Sequence, residues 1–214
     1  MGSPKIHRIN PENPDPDMIQ EASEIIRKGG VVGFPTRCLY GLAADAFNPD
    51  AVERIFQIKQ RPVEKPILIL IDSPSQLERL VTHISGSANV IMKRFWPGRV
   101  TLVFDASAEV PDTLTAGTGK IGIRLAAHPV AAALARAIQG PITGTSANIS
   151  GCPGCYQIED LQPAVTEQLD LILDTGPLRG GCGSTVVDVS GDIPRVLREG
   201  TVSKRDILSM GGKD

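Results

Sequence analysis

The chain contains no apolar run near the roughly 18 residues that a membrane-spanning helix needs, so nothing in it predicts a helical span. Histidine is scarce. His7, His83 and His128 are scattered at no metal-ligand spacing, and no Ser-His-Asp or Cys-His constellation can be read. Aromatic residues make up only 4%, too few for a platform on which RNA bases stack. Neither sign of charge dominates: 22 basic against 24 acidic residues leave a net −2, which argues against nucleic acid as the main ligand. The Walker phosphate loop is missing, so any nucleotide must be cradled by something else. Residues 1–16 hold no apolar stretch of the secretory kind, and a cytoplasmic enzyme is the expectation.

Cysteine is sparse as well. Cys152-Pro153-Gly154-Cys155 is the one Cys-x-x-Cys among four cysteines, whereas structural zinc usually takes four ligands. Cys38 and Cys182 are the only partners left for it. Ordinary thiols are therefore the expectation, and Cys152 and Cys155 are the only weak candidates for a metal or redox pair.

What the chain does have is enough apolar material, 41%, for a proper core, broken by 17 prolines and 22 glycines into many short elements. Ile19, Ala22, Ile25 and Ile26 recur at helical spacing and predict a helix over 18–28, stopped by Gly29-Gly30. Asn48-Pro49-Asp50 reads as a cap, a first-turn proline and a dipole-matched acid, opening a helix that ends near Lys59 before Pro62. Further helices are expected at 73–81, 88–95, 129–139 and 159–169, with a last short one capped by Ser203 and Asp206. Strands are expected at 31–35, 67–71, 100–104, 121–125, 141–145, 171–173, 185–189 and 195–197. Strands and helices alternate with no linker, no repeat and no composition shift. That predicts one α/β domain over residues 1–214, its core about 16–209, built on a mixed β-sheet flanked by helices.

Two strings carry chemistry. Lys59-Gln60-Arg61-Pro62 puts two cations just past a helix end, where the turning backbone lets both heads converge. Ser146-Ala147-Asn148 is a small polar loop just past a strand, where open α/β sheets usually place ligands. Fixed positive charge beside neutral hydrogen-bonding groups suits a polyphosphate with its Mg²⁺. Alone, each string reads equally well as a solvated helix end or a turn. Thr36 ends a strand, Ser184 and Thr185 open another, and Arg124 and Arg198 stand at strand ends, where arginines suit carboxylate or phosphate recognition.

With these residues in place, the chain resembles the YrdC/TsaC-type threonylcarbamoyl-AMP synthase family. The resemblance rests on an ordered set of motifs: Pro35-Thr36 with Tyr40-Gly41-Leu42, Lys59-x-Arg61-Pro62, Trp96-Pro97-Gly98 with Thr101, Arg124 with His128-Pro129, the Thr145–Gly151 loop, Ser184 to Asp188, and Leu197-Arg198-x-Gly200. Cys38, Leu70, Lys65, Gly154 and Arg99 depart from common family residues. The resemblance implies a single-domain, open twisted sheet with a large concave site, a YrdC/RibB-like fold in its short form. It implies synthesis of threonylcarbamoyl-adenylate and pyrophosphate from L-threonine, bicarbonate or CO2, and ATP with Mg²⁺. That product would pass to the tRNA threonylcarbamoyltransferase machinery for t6A modification at tRNA position 37. On this basis Lys59 and Arg61 are the expected catalytic residues. ATP would meet Lys59, Arg61, Lys65, Lys120, Ser146, Asn148 and Arg198, and threonine would meet Thr36, Arg124, Ser184 and Thr185. A competing reading uses the same basic face to hold tRNA or double-stranded RNA, as a ribosome-assembly module would. A sister enzyme acting on another amino acid is a third.

Overall fold

The structure is a computed structural model that describes residues 4–209. The chain begins with strand β1 (Lys5–Arg8), helix α1 (Pro16–Arg27) and strands β2 (Val32–Pro35) and β3 (Tyr40–Ala43). Helix α2 (Pro49–Lys59) and β4 (Ile69–Ile71) follow, then α3 (Leu77–Leu80), α4 (Gly86–Phe95), β5 (Val100–Asp105), α5 (Asp112–Thr115) and β6 (Lys120–Leu125). After α6 (Pro129–Ile138) come β7 (Ile142–Thr143), β8 (Thr145–Ser146), α7 (Pro163–Thr166), β9 (Leu171–Asp174), β10 (Thr185–Asp188), β11 (Arg195–Arg198) and α8 (Lys204–Leu208).

The expected α/β fold with mixed pairing is present, and its strands lie in two sheets. One runs β1-β9-β2-β3-β8, the other β11-β10-β5-β6-β4-β7, and each combines parallel and antiparallel ladders. The strand expected at 141–145 belongs to both. Its first half pairs with β4, its second with β3, and Gly144 sits at the break. A Cβ on Gly144 would stand 2.7 Å from Leu68 Cδ1 and Leu70 Cγ, so glycine alone lets the chain step between sheets there without moving its neighbours.

Helix α1 is amphipathic, buries Ile19, Ala22 and Ile26, and packs against α6 over the first sheet. Ile26, Phe34, Leu134 and Leu173 belong to that side's core. The larger core gathers Leu42, Ile55 and Phe56 with Ile69, Leu102 and Phe104. Strand β1 begins the fold earlier than the expected core. Its polar, mostly exposed Lys-Ile-His-Arg sequence carries no alternation to reveal it, yet it pairs in parallel with β9. The helix expected over 159–169 is reduced to a 3-10 turn at Ile158–Asp160 and the short α7, because Pro163 takes the first-turn position of a separate helix.

Gly200 holds a tight junction. An added Cβ would fall 2.3 Å from Gly183 O and 2.6 Å from Ser184 C, both backbone atoms that cannot rotate away. Gly200→Ala is expected to cost about 2–4 kcal/mol in denaturant unfolding. An unchanged unfolding midpoint would show that the 199–202 segment yields freely.

Candidate active site

The two strings that stood out in the sequence meet in one cavity of about 790 Å³. Helix α2 starts on an Asn48 cap, whose side chain accepts from the Asp50 and Ala51 N–H groups. It ends on Gln60 in the left-handed region at φ 46°, and Arg61 N–H bonds back to Phe56 O at 2.9 Å. That turn swings Arg61 off the helix axis, so Lys59 and Arg61 line the same wall. β8 and the loop after it bring Ser146, Asn148, Ser150 and Gly151 to the cavity.

Lys59 is buried, with 1% of its surface exposed. Its ammonium donates to Ser146 O, to Asn148 O at 2.8 Å and to Asn148 Oδ1 at 3.4 Å. All three N–H groups of the lysine thus staple the Ser146–Asn148 loop. The Asn148 amide is committed too. Its Oδ1 accepts from the Ser146 hydroxyl as well, and its Nδ2 donates to Ile149 O at 2.8 Å and Cys152 O at 2.7 Å. Burial, and then the charge of Arg61, push the Lys59 ammonium down to about 8. Arg61 donates through Nε to Lys65 O at 3.1 Å and through Nη2 to Pro66 O at 2.8 Å. Burial first and Arg198 second hold its guanidinium below the ordinary value.

Seven cationic side chains line the cavity: Arg37, Lys59, Arg61, Lys120, Arg124, Arg195 and Arg198. Among the described residues Asp188 is the single carboxylate facing them, and it is already occupied. It accepts from Lys120 Nζ at 2.9 Å and Ser190 Oγ at 2.7 Å, and lies 3.6 Å from Arg195 Nη2. Burial raises its carboxyl, but hydrogen bonds from Ser190 and Lys120 outweigh that and hold it below its ordinary value. Among the described residues, Arg37 and Arg124 are the two cations of the wall whose side chains meet no acceptor. Burial, and then the charge of Arg198, push the Arg124 guanidinium down to about 10, with Cys38 acting in the opposite sense. No hydrogen bond or ion pair to the Arg124 guanidinium occurs among the described residues. A partly buried guanidinium without an acceptor suits an anion from outside the chain.

Of the residues expected from sequence, Thr36, Lys59, Arg61, Lys120, Arg124, Ser146, Asn148, Ser184 and Arg198 share the cavity. Thr36 Oγ1 donates to Leu39 O at 2.6 Å, Ser184 Oγ lies 2.7 Å from Thr101 Oγ1, and Arg198 Nη2 donates to Ser184 O at 2.9 Å. Two expected residues are elsewhere. The Lys65 side chain is exposed outside the cavity, and only its carbonyl serves the site, by holding Arg61. Thr185 points into the protein. Its hydroxyl donates to Val202 O and accepts from Gly200 N and Val202 N at 3.0 Å, fastening the last loop to β10. Alternation along a strand explains this, since Ser184 and Thr185 must face opposite ways.

Sequence reasoning missed Arg37, His128, Ser150 and Arg195 in the wall. Arg195 and Leu197 share a strand face at i and i+2, which was the available signal. A register shift between Val186 and Val187, opposite β11, brings Arg198 to the same cavity. Cys152 is exposed, while Cys155 is buried and bonds Asp160 O at 3.1 Å. Among the described residues no group of three His, Cys, Asp or Glu is arranged to hold a metal. No helix there is long and apolar enough to cross a membrane.

The family model Sua5_yciO_yrdC, described as telomere recombination, matches residues 24–200. A threonylcarbamoyl-AMP synthase of Bacillus subtilis is 40% identical over 202 residues, which is 92% of this chain and 57% of that protein. The chain likewise spans 57% of the threonylcarbamoyl-AMP synthase of Pyrococcus abyssi, and 90% of a putative one from Mycobacterium tuberculosis at 36% identity. Among solved structures, P. abyssi Sua5 complexed with L-threonine superposes with a TM-score of 0.91 at 37% identity, covering 97% of this chain and 61% of that one. E. coli YciO superposes at 0.87 and 31% identity, covering 96% of this chain and 100% of that one. The chain belongs to the Sua5/YciO/YrdC family.

Proposed function

We propose that this protein joins L-threonine, CO2 or bicarbonate and ATP into threonylcarbamoyl-AMP, releasing pyrophosphate. The observation that carries this reading is the unpartnered Arg124 in a cavity where seven cations face one engaged carboxylate. A guanidinium fork is matched to a carboxylate, and the relatives named for this reaction include one structure holding L-threonine. The remaining cations suit a triphosphate. Because they line a concavity instead of an outer face, a compact polyanion fits them better than an RNA duplex.

In this reading the threonine amine captures CO2 as a carbamate and loses a proton to solvent. A carbamate oxygen attacks the α-phosphorus of ATP, and the bond to pyrophosphate breaks in line. No covalent protein nucleophile is needed, so the chain's work is positioning and charge neutralisation. Arg124 holds the threonine carboxylate, with the Thr36 and Ser184 hydroxyls along the same wall. Arg61 and Arg198 balance charge on the phosphates. Lys59 acts on them through the loop it staples and through its buried charge. Mg²⁺ arrives with ATP and shields phosphate charge. With Asp188 engaged and Asn148 committed, Ser146 is the expected residue that offers a neutral oxygen nearby. The product would pass to the tRNA-modifying machinery in the cytoplasm, where ATP and tRNA meet.

Pyrophosphate release from ATP that requires both threonine and bicarbonate is the expected result. Release indifferent to threonine, across a panel of amino acids, would overturn the reading. Protonation gives a second test. Phosphate near Lys59 must raise its affinity for a proton from about 8. Nucleotide binding near pH 8 is therefore expected to take up part of a proton at Lys59. Calorimetry in two buffers of different ionisation enthalpy measures this. Proton release at pH 8 would remove Lys59 from the phosphate neighbourhood.

A further inference from the structure

Cys38 lines the same cavity as Arg124 and is partly buried there. It sits between Arg37 and Leu39, both lining residues, on the short turn closed by Thr36. The Cys38 carbonyl accepts from Gly180 N at 3.0 Å, so the 175–183 loop anchors the backbone of this turn. All four cysteines are free, and the other three lie outside the cavity lining.

We propose that Cys38 is a covalent modification site for anionic thiol-reactive molecules, with Arg124 as the guide that binds their carboxylate. A thiol that shares a cavity with an unpartnered, partly buried cation sees a raised local concentration of anions. A carboxylate held on Arg124 also keeps a nearby electrophilic atom within reach of Sγ. With a carboxylate-bearing disulfide, the Cys38 thiolate attacks one sulfur and a mixed disulfide forms. The S–S bond breaks, and the departing thiolate takes up the proton that Cys38 gave away. With a haloacetate, an S–C bond forms, halide leaves and the proton goes to buffer. Either adduct fills the space beside Arg124, so modification stops the reaction assigned to this cavity. A thiol reductant reverses the disulfide and not the thioether. The site itself stands on the cavity and its charge, while the effect on catalysis rests on the reaction proposed above.

The test compares iodoacetate, an anion, with iodoacetamide, its neutral counterpart, by peptide mass spectrometry of the whole chain. The iodoacetate-to-iodoacetamide rate ratio at Cys38 is expected to be at least about 10-fold above that at the exposed Cys152 and Cys182. Arg124→Gln should bring the ratio down to the exposed value, and 1 M salt should do so without any mutation. An equal or lower ratio at Cys38 overturns the proposal. L-threonine is expected to protect Cys38. Anionic preference without threonine protection supports the modification site and overturns the placing of threonine at Arg124.

Discussion

Arg124→Ala should raise the threonine concentration for half-maximal pyrophosphate release by roughly 10²-fold or more, with little change in the requirement for ATP. The size follows from removing one member of a desolvated charge pair and leaving the substrate carboxylate with nothing to neutralise it. The empty protein should not lose stability. The Arg124 guanidinium has no hydrogen-bond partner among the described residues, and burial together with Arg198 works against its charge. Its melting temperature should therefore stay level or rise. Arg124→Lys should restore only part of the affinity, because an ammonium keeps the charge without the two-pronged fork. A shift in the ATP requirement alone would show that Arg124 serves the nucleotide and that threonine sits elsewhere.

Lys59→Ala should lower turnover by on the order of 10²-fold or more, the loss typical of a charge-stabilising donor. Here the loss has two sources. A buried positive charge disappears from beside Arg61. Three oxygens, Ser146 O, Asn148 O and Asn148 Oδ1, also lose their common donor. The second source has its own readout: amide hydrogen exchange should quicken across residues 145–151 in the unliganded variant. Arg61→Ala should lower turnover comparably with less effect on exchange in that loop, because Arg61 bonds to Lys65 O and Pro66 O and not to the loop. Full activity in both variants would remove the phosphate assignment.

Much of this was legible in the chain because the signals were local. Asn48-Pro49 predicts where α2 starts, and the helix begins at Pro49. Ser203 and Asp206 predict a cap, and Asp206 N bonds Ser203 Oγ at 3.1 Å. Lys59 and Arg61 do converge on one wall, since the left-handed Gln60 undoes the helical divergence of i and i+2. What the chain hid was non-local. The division into two sheets depends on which partners Ile142 and Thr145 find, and hydrophobicity says nothing of that. Thr185 looked like its neighbour Ser184, and only the docking of residues 200–202 decides that its hydroxyl turns inward. Lys59 read as a phosphate hand. Its burial under the 146–148 loop, invisible in a list of residue types, makes it a structural clasp as well.

The run from Ile142 to Ser146 is stitched into one sheet by its first half and the other by its second, with Gly144 wedged against Leu68 and Leu70. Such a shared seam leaves no free joint about which the halves could swing. In the proposed reaction, keeping water from the mixed anhydride would therefore fall to a segment at the cavity's edge, such as the exposed 62–66 loop, whose Pro66 lines the cavity.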